Sequence, residues 1–252
     1  MSAAPPGDQL PLFEERAAQA GFEVRRSRRA RRLSIRVFPH GRVEVVVPPR
    51  TRADEVERFV TGHRAWIERT LATMADTGVA GDLALPERLV FPGAGETWRV
   101  VHRAGPRLRL TSRTAAGGGV IDLIAPEREG QPARRRLRAW VVEQGCRLLL
   151  PRLATLAARH DLVYRRAGIG RQKTRWGSCS AAGSIRLNCS LLFLPPGLAE
   201  YVMLHELCHL RVLDHSPRFW RLLDTLQPGA RALDGEMSRA WSRVPGWLFY
   251  DD

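Results

Sequence analysis

Residues 201–220 read YVMLHELCHLRVLDHSPRFW, and the fold and the chemistry both turn on how that stretch is arranged. On a helix of about 3.6 residues per turn, His205 and His209 lie about 40° apart in projection and one turn apart along the axis, so their imidazoles converge. Two rings so placed suit a tetrahedral Zn²⁺ site that takes a third protein ligand and leaves one position open. Glu206 lies between them, where it is badly aimed for a ligand but can accept a proton from a metal-held water. The third ligand is expected from beyond the helix, and His215 is the only histidine downstream. The spacing equals that of HExxHxxGxxH, but Val212 stands where that pattern has a turn-forming glycine. A different turn is therefore expected, with Asp214 tolerating a left-handed conformation at the helix end. Ser216-Pro217 then reads as the N-cap and first residue of a new helix through Phe219 and Leu226. Cys208, a rival ligand, projects about 100° from His209 and is expected to pack in the core.

Upstream, residues 171–196 read RQKTRWGSCSAAGSIRLNCSLLFLPP. Ile185, Leu187, Cys189, Leu191 and Phe193 alternate with Arg186, Asn188 and Ser190, which predicts a half-buried strand leading into the metal helix. Such a strand, if it has a free edge, can pair with an extended peptide. No acidic residue occurs between Leu162 and Ala199, whereas Arg171, Lys173 and Arg175 do. Those three and Asn188 are candidate substrate-binding residues. The cations suit phosphate oxygens, and Arg175 also suits a tetrahedral oxyanion.

The first half has a different texture. SIRVF and RVEVVV flank Pro39-His40-Gly41, a hairpin pattern. From Thr51 to Met74 the apolar residues recur at helical spacing. Short strands follow (ERLVF, TWRVVHR, RLRLTS, GVIDLIAP), cut by Gly and Pro. A long basic helix begins near Pro132, and Pro151 is expected to kink or restart it. The expected organisation is a mobile tail over 1–20, a β-rich module over 21–128 and a second domain over 129–252, with the boundary near 127–133, where Glu127, Glu129, Gly130 and Pro132 supply linker chemistry.

The 252 residues carry a formal net charge of +14. A field of that sign attracts phosphate-bearing or acidic partners, so nucleic acid or nucleotides are expected on the basic surface. No run approaches the roughly 18 apolar residues of a membrane span, and the N-terminal text lacks a secretory signal pattern. A cytoplasmic protein with four free thiols and no membrane partner is expected.

KTRWGSCS (173–180), IRLN (185–188) and YVMLHELCHLRVLDHSPRFW (201–220), together with RRSRRARRLSIRVFPHGRVEVVVPP (25–49), resemble the YgjP-like metallopeptidases, a group similar to the SprT and WLM zinc proteins. The likeness covers most of residues 22–250. It implies an α+β chain: an N-terminal β-rich module of antiparallel strands plus a helix, then a minimal zincin-like domain with HExxH on a helix. It further implies Zn²⁺ on His205, His209 and His215 with Glu206 as catalytic base. Asp214 stands where Asn is more usual in the family. The reading is a zinc metallo-endopeptidase acting on peptide or unfolded protein. Two alternatives remain open, a metal-dependent nucleoside triphosphate hydrolase and a DNA- or clamp-associated binding module with structural zinc. Finally, Gln9-Leu10-Pro11-Leu12-Phe13 resembles the short peptides that dock on the bacterial sliding clamp, with Leu12 and Phe13 entering an apolar pocket.

Overall fold

The computed structural model describes residues 21–37, 43–75, 84–127 and 130–249. The Gln9–Phe13 motif and the Pro39–Gly41 turn lie outside them. The described residues form an α+β chain of three small sheets and five α-helices, divided into two compact units, 1–81 and 82–252.

In the first unit β1 (Phe22–Arg26), β2 (Ser34–Val37) and β3 (Val43–Val47) form a sheet of order β1-β3-β2. The alternating text of SIRV and VEVVV gives the expected antiparallel pair, β2 on β3. β1 adds to the other edge of β3 in parallel. Helix α1 (Ala53–Ala75) packs Val56 against Val45 and Val47. On the opposite sheet face Glu44 is buried, and Arg25 Nε reaches it at 3.0 Å.

In the second unit β4 (Arg88–Phe91), β5 (Glu96–Ala104), β6 (Arg109–Ala115) and β7 (Gly118–Ala125) form a sheet of order β4-β5-β7-β6. One face carries Leu89, Phe91, Trp98, Val100, Ile121 and Leu123, all buried. That face packs on α2 (Gln131–Arg159), where Trp140 meets Trp98 edge-on at 4.9 Å. The two share one hydrophobic core with everything downstream. This is why the unit boundary falls at 81 and the chain around 128, read from its linker-like composition as a division, runs inside the second unit. Helix α2 also runs unbroken through Pro151. Proline inside a helix costs about 3 kcal/mol; Leu149, Leu153 and Leu156, buried on either side of it, outweigh that local cost.

A third sheet, order β8-β10-β9, comprises β8 (Arg166–Gly170), β9 (Gly177–Cys179) and β10 (Ser184–Asn188). β10 stops at Asn188, short of the expected Phe193. Asn188 Oδ1 accepts from Ser190 N at 3.0 Å and turns the chain into a 3-10 segment, Cys189–Phe193, buried throughout. Both the even and the odd positions of that segment are buried, which a half-buried pleat would not give. β10 is interior, paired with β8 and β9, so the edges of this sheet belong to β8 and β9. Helices α3 (Pro196–Cys208), α4 (Pro217–Leu226) and α5 (Ala230–Ala240) complete the unit. No helix among the described residues is long and apolar enough to cross a membrane.

Candidate metal centre

α3 delivers His205 and Glu206 from its last turn and His209 as its C-cap. The chain leaves the helix without a glycine and without a left-handed residue at Asp214; among the described non-glycine residues only Asp161 has positive φ. Instead Leu210 N and Val212 N bond back to Leu207 O and Cys208 O, both at 3.0 Å. Val212 is buried, and its carbonyl accepts from His209 Nδ1 at 2.9 Å. Asp214 then caps locally, its Oδ1 accepting from Ser216 N at 3.2 Å. α4 restarts at Pro217 with Ser216 at the N-cap, as expected.

This turn brings His215 back over the helix. His205 Nε2 lies 3.0 Å from His215 Nε2 and 3.3 Å from His209 Nε2. The ligand atoms of all three lie within 4.8 Å of one another. Ligands about 2.0–2.1 Å from a tetrahedral zinc are about 3.4 Å apart, so the two distances from His205 are close to the edges of such a site. Phe219 of α4, fully buried, is in contact with all three rings, with centroids 4.6–4.9 Å away. Cys208 is buried in the core and takes no part in the cluster.

The outward nitrogens are held too. Tyr201 lies one turn before His205, and its hydroxyl donates to Asp234 Oδ1 at 2.8 Å. That leaves the Tyr201 oxygen as acceptor for His205 Nδ1, 3.4 Å away. With protons on both outward nitrogens, the Nε2 lone pairs of His205 and His209 face inward. Burial, reinforced by the other two rings, pushes the His205 pKa down to about 4. It lowers that of His209 as well. Neutral imidazoles are what a metal requires, so the donor set fits a divalent transition metal.

Glu206 is buried, and the loss of solvation raises its carboxyl to about 7 against the opposing pull of Arg175. Its side chain lies against Gly177 at the start of β9, where a Cβ would stand 2.6 Å from Oε1. Arg175, exposed, is thus the one of the four expected substrate contacts whose charge acts on this site. Arg171 donates to Leu248 O at 2.8 Å. Lys173 is half-buried. Asn188 is fully buried, and its amide donates to Gln172 O at 2.6 Å and Arg175 O at 2.8 Å. It is a staple for the 172–175 loop rather than a substrate contact. Sequence reading passed over Tyr201, Phe219, Gly177 and Asp234. Of these only Tyr201 left a signal, one turn from a candidate ligand.

A family model, "YgjP-like, metallopeptidase domain", matches residues 31–240. The chain belongs to the YgjP-like metallopeptidase family. This metallopeptidase is also similar to a solved chain titled "Crystal structure of the metallopeptidase zymogen of Pyrococcus abyssi abylysin", at 25% identity over 34% of this chain and 87% of that one, with a TM-score of 0.31. A comparison with curated proteins found no match.

Proposed function

We propose that this metallopeptidase is a zinc endopeptidase, with the ion held by His205, His209 and His215 and with Glu206 as general base. The observation that carries the reading is the convergence of three inward Nε2 atoms beside a buried carboxylate on the same helix. Bound there, zinc supplies Lewis acidity, which acidifies water and polarises a carbonyl oxygen. Glu206 takes the proton of the attacking water as its oxygen bonds to the scissile carbon. The same carboxyl returns that proton to the nitrogen as the C–N bond breaks. The unpaired edge of β9 offers backbone N–H and C=O groups to an extended substrate, so peptide is read mainly through its main chain. Gly177, in that strand and against Glu206, sets the base beside the docked chain.

The test pairs metal analysis with two assays, one on unfolded protein and one on nucleoside triphosphates, each with and without chelator. About one zinc per chain and chelator-sensitive peptide cleavage are expected. Turnover of triphosphate without peptide cleavage overturns the substrate assignment, and turnover of neither substrate by zinc-loaded protein overturns the enzymatic one.

The Asp234–Tyr201–His205 chain gives a separate expectation. Hydrogen bonds that orient a ligand imidazole typically contribute 10–100-fold to metal affinity. Tyr201→Phe keeps the packing but leaves His205 Nδ1 without its oxygen, and should weaken zinc binding by about tenfold in competition with a chromophoric chelator. Unchanged affinity in that variant removes the tyrosine from the site.

A further inference from the structure

The solvent face of the β4–β7 sheet carries a charge pattern the peptidase chemistry does not use. In cross-strand register, Arg88 of β4 lies opposite Arg99 of β5; Arg99 and Arg113 of β6 both flank Val120 of β7. Further along, Arg103 of β5 and Arg109 of β6 flank Ile124. All five arginines are exposed. The central carboxylate, Asp122, meets Arg103 and Arg113 at 3.4 Å each. Arg88, Arg99 and Arg109 have no carboxylate partner among the described residues.

Like charges directly opposite on a sheet are destabilising, yet Arg88 and Arg99 form such a pair. Four residues of strand separate the two arginine rows by about 13 Å. The major groove of B-form DNA is about 12 Å wide, so each row can meet one phosphate backbone. The apolar side chains of the face are small: Val120 and Ile124 lie half-buried within the rows, Val101 lies half-buried between them, and Val90, exposed, sits at the β4 edge. There is no aromatic ring on the face for bases to stack on and no large side chain to insert into a bilayer.

We propose that this face binds the phosphate backbone of duplex nucleic acid without regard to base sequence. Phosphate contacts fix position and carry no base information, as the absence of side chains suited to base stacking requires. The inference is independent of the zinc and peptide reading.

The test is fluorescence anisotropy with a labelled duplex of about 20 base pairs across a salt series, the duplex spanning about two helical turns. The full chain is compared with the triple variant Arg88→Gln, Arg99→Gln, Arg109→Gln. A control, Arg28→Gln, Arg29→Gln, Arg31→Gln, removes the same charge from the exposed loop between β1 and β2. The sheet variant should bind about a hundredfold more weakly at low salt and lose about three from the slope of log K against log salt. Peptide cleavage and the circular dichroism spectrum should be unchanged. The control should keep most of the affinity, and a duplex of unrelated sequence should bind equally. An equal loss in both variants overturns the assignment to this face. Failure of the unaltered chain to bind duplex overturns it too, as does tighter binding to polyglutamate or to phosphatidylserine vesicles.

Discussion

Glu206→Gln should lose turnover by about 10²–10⁴-fold, the range a positioned general base contributes, while retaining its zinc. The amide fills the same space beside Gly177 and cannot take a proton. The substitution also has a stability signature. Burial raises the folded-state carboxyl from its ordinary value of 4.5 to about 7. The unfolded chain therefore releases that proton at lower pH than the folded one. The contribution to stability is complete below the unfolded value and is lost as pH rises through about 7. Above that, the metal-free protein buries a charged carboxylate at a cost on the order of 3 kcal/mol. Metal-free Glu206→Gln should accordingly melt higher than metal-free wild type at pH 8, by about 2–4 °C per kcal/mol, with the gap closing at pH 5. Calorimetry on chelator-treated protein reads this directly. Retained peptidase activity in the zinc-loaded variant removes Glu206 from the mechanism. An unchanged melting difference between pH 5 and pH 8 contradicts its burial.

The acid limb of activity tests the same carboxyl from outside. Arg175 opposes the burial effect on Glu206. Arg175→Ala should move the acid limb of kcat/KM to higher pH, because the base then needs a higher pH to ionise. An unmoved limb separates the arginine from the base.

The three imidazoles were legible in the sequence because helical periodicity places His205 and His209, and only one histidine follows them. What positions them was less so. Tyr201 reads as one apolar residue among YVML, and its role exists only because α5 carries Asp234 to it from 33 residues away. The strand ending in Asn188 was overextended for a related reason. Cys189, Leu191 and Phe193 keep the spacing of a pleat, but all of Cys189–Phe193 is buried, and one amide side chain turns the segment into a 3-10 helix. The basic run 171–175 looked uniform. Tertiary contacts divide it, with Arg171 holding the carbonyl of Leu248 and Arg175 left exposed by Glu206. Composition marked a linker near 128 because Gly, Pro and Glu cluster there, whereas the boundary follows the shared core, which includes Trp98 and Trp140.

Gly177→Ala should remove most activity without removing a catalytic group. A Cβ there would stand 2.6 Å from Glu206 Oε1, 2.7 Å from Cγ and 2.9 Å from Cδ. The carboxylate is the far end of a flexible side chain, so it yields before the backbone does. Folding and zinc content should be close to wild type, but the base is displaced from its working position. A displacement of about 1 Å can cost about 10²-fold in rate, and the loss should appear in kcat more than in KM because the β9 edge that docks substrate is intact. Gly197→Ala is the control, since a Cβ there meets nothing within 4 Å and the residue lies on the same helix as Glu206. Stopped-flow single turnover separates this from a binding defect. Gly177→Ala with undiminished kcat would mean that the carboxylate does its work from somewhere other than the place where β9 holds it.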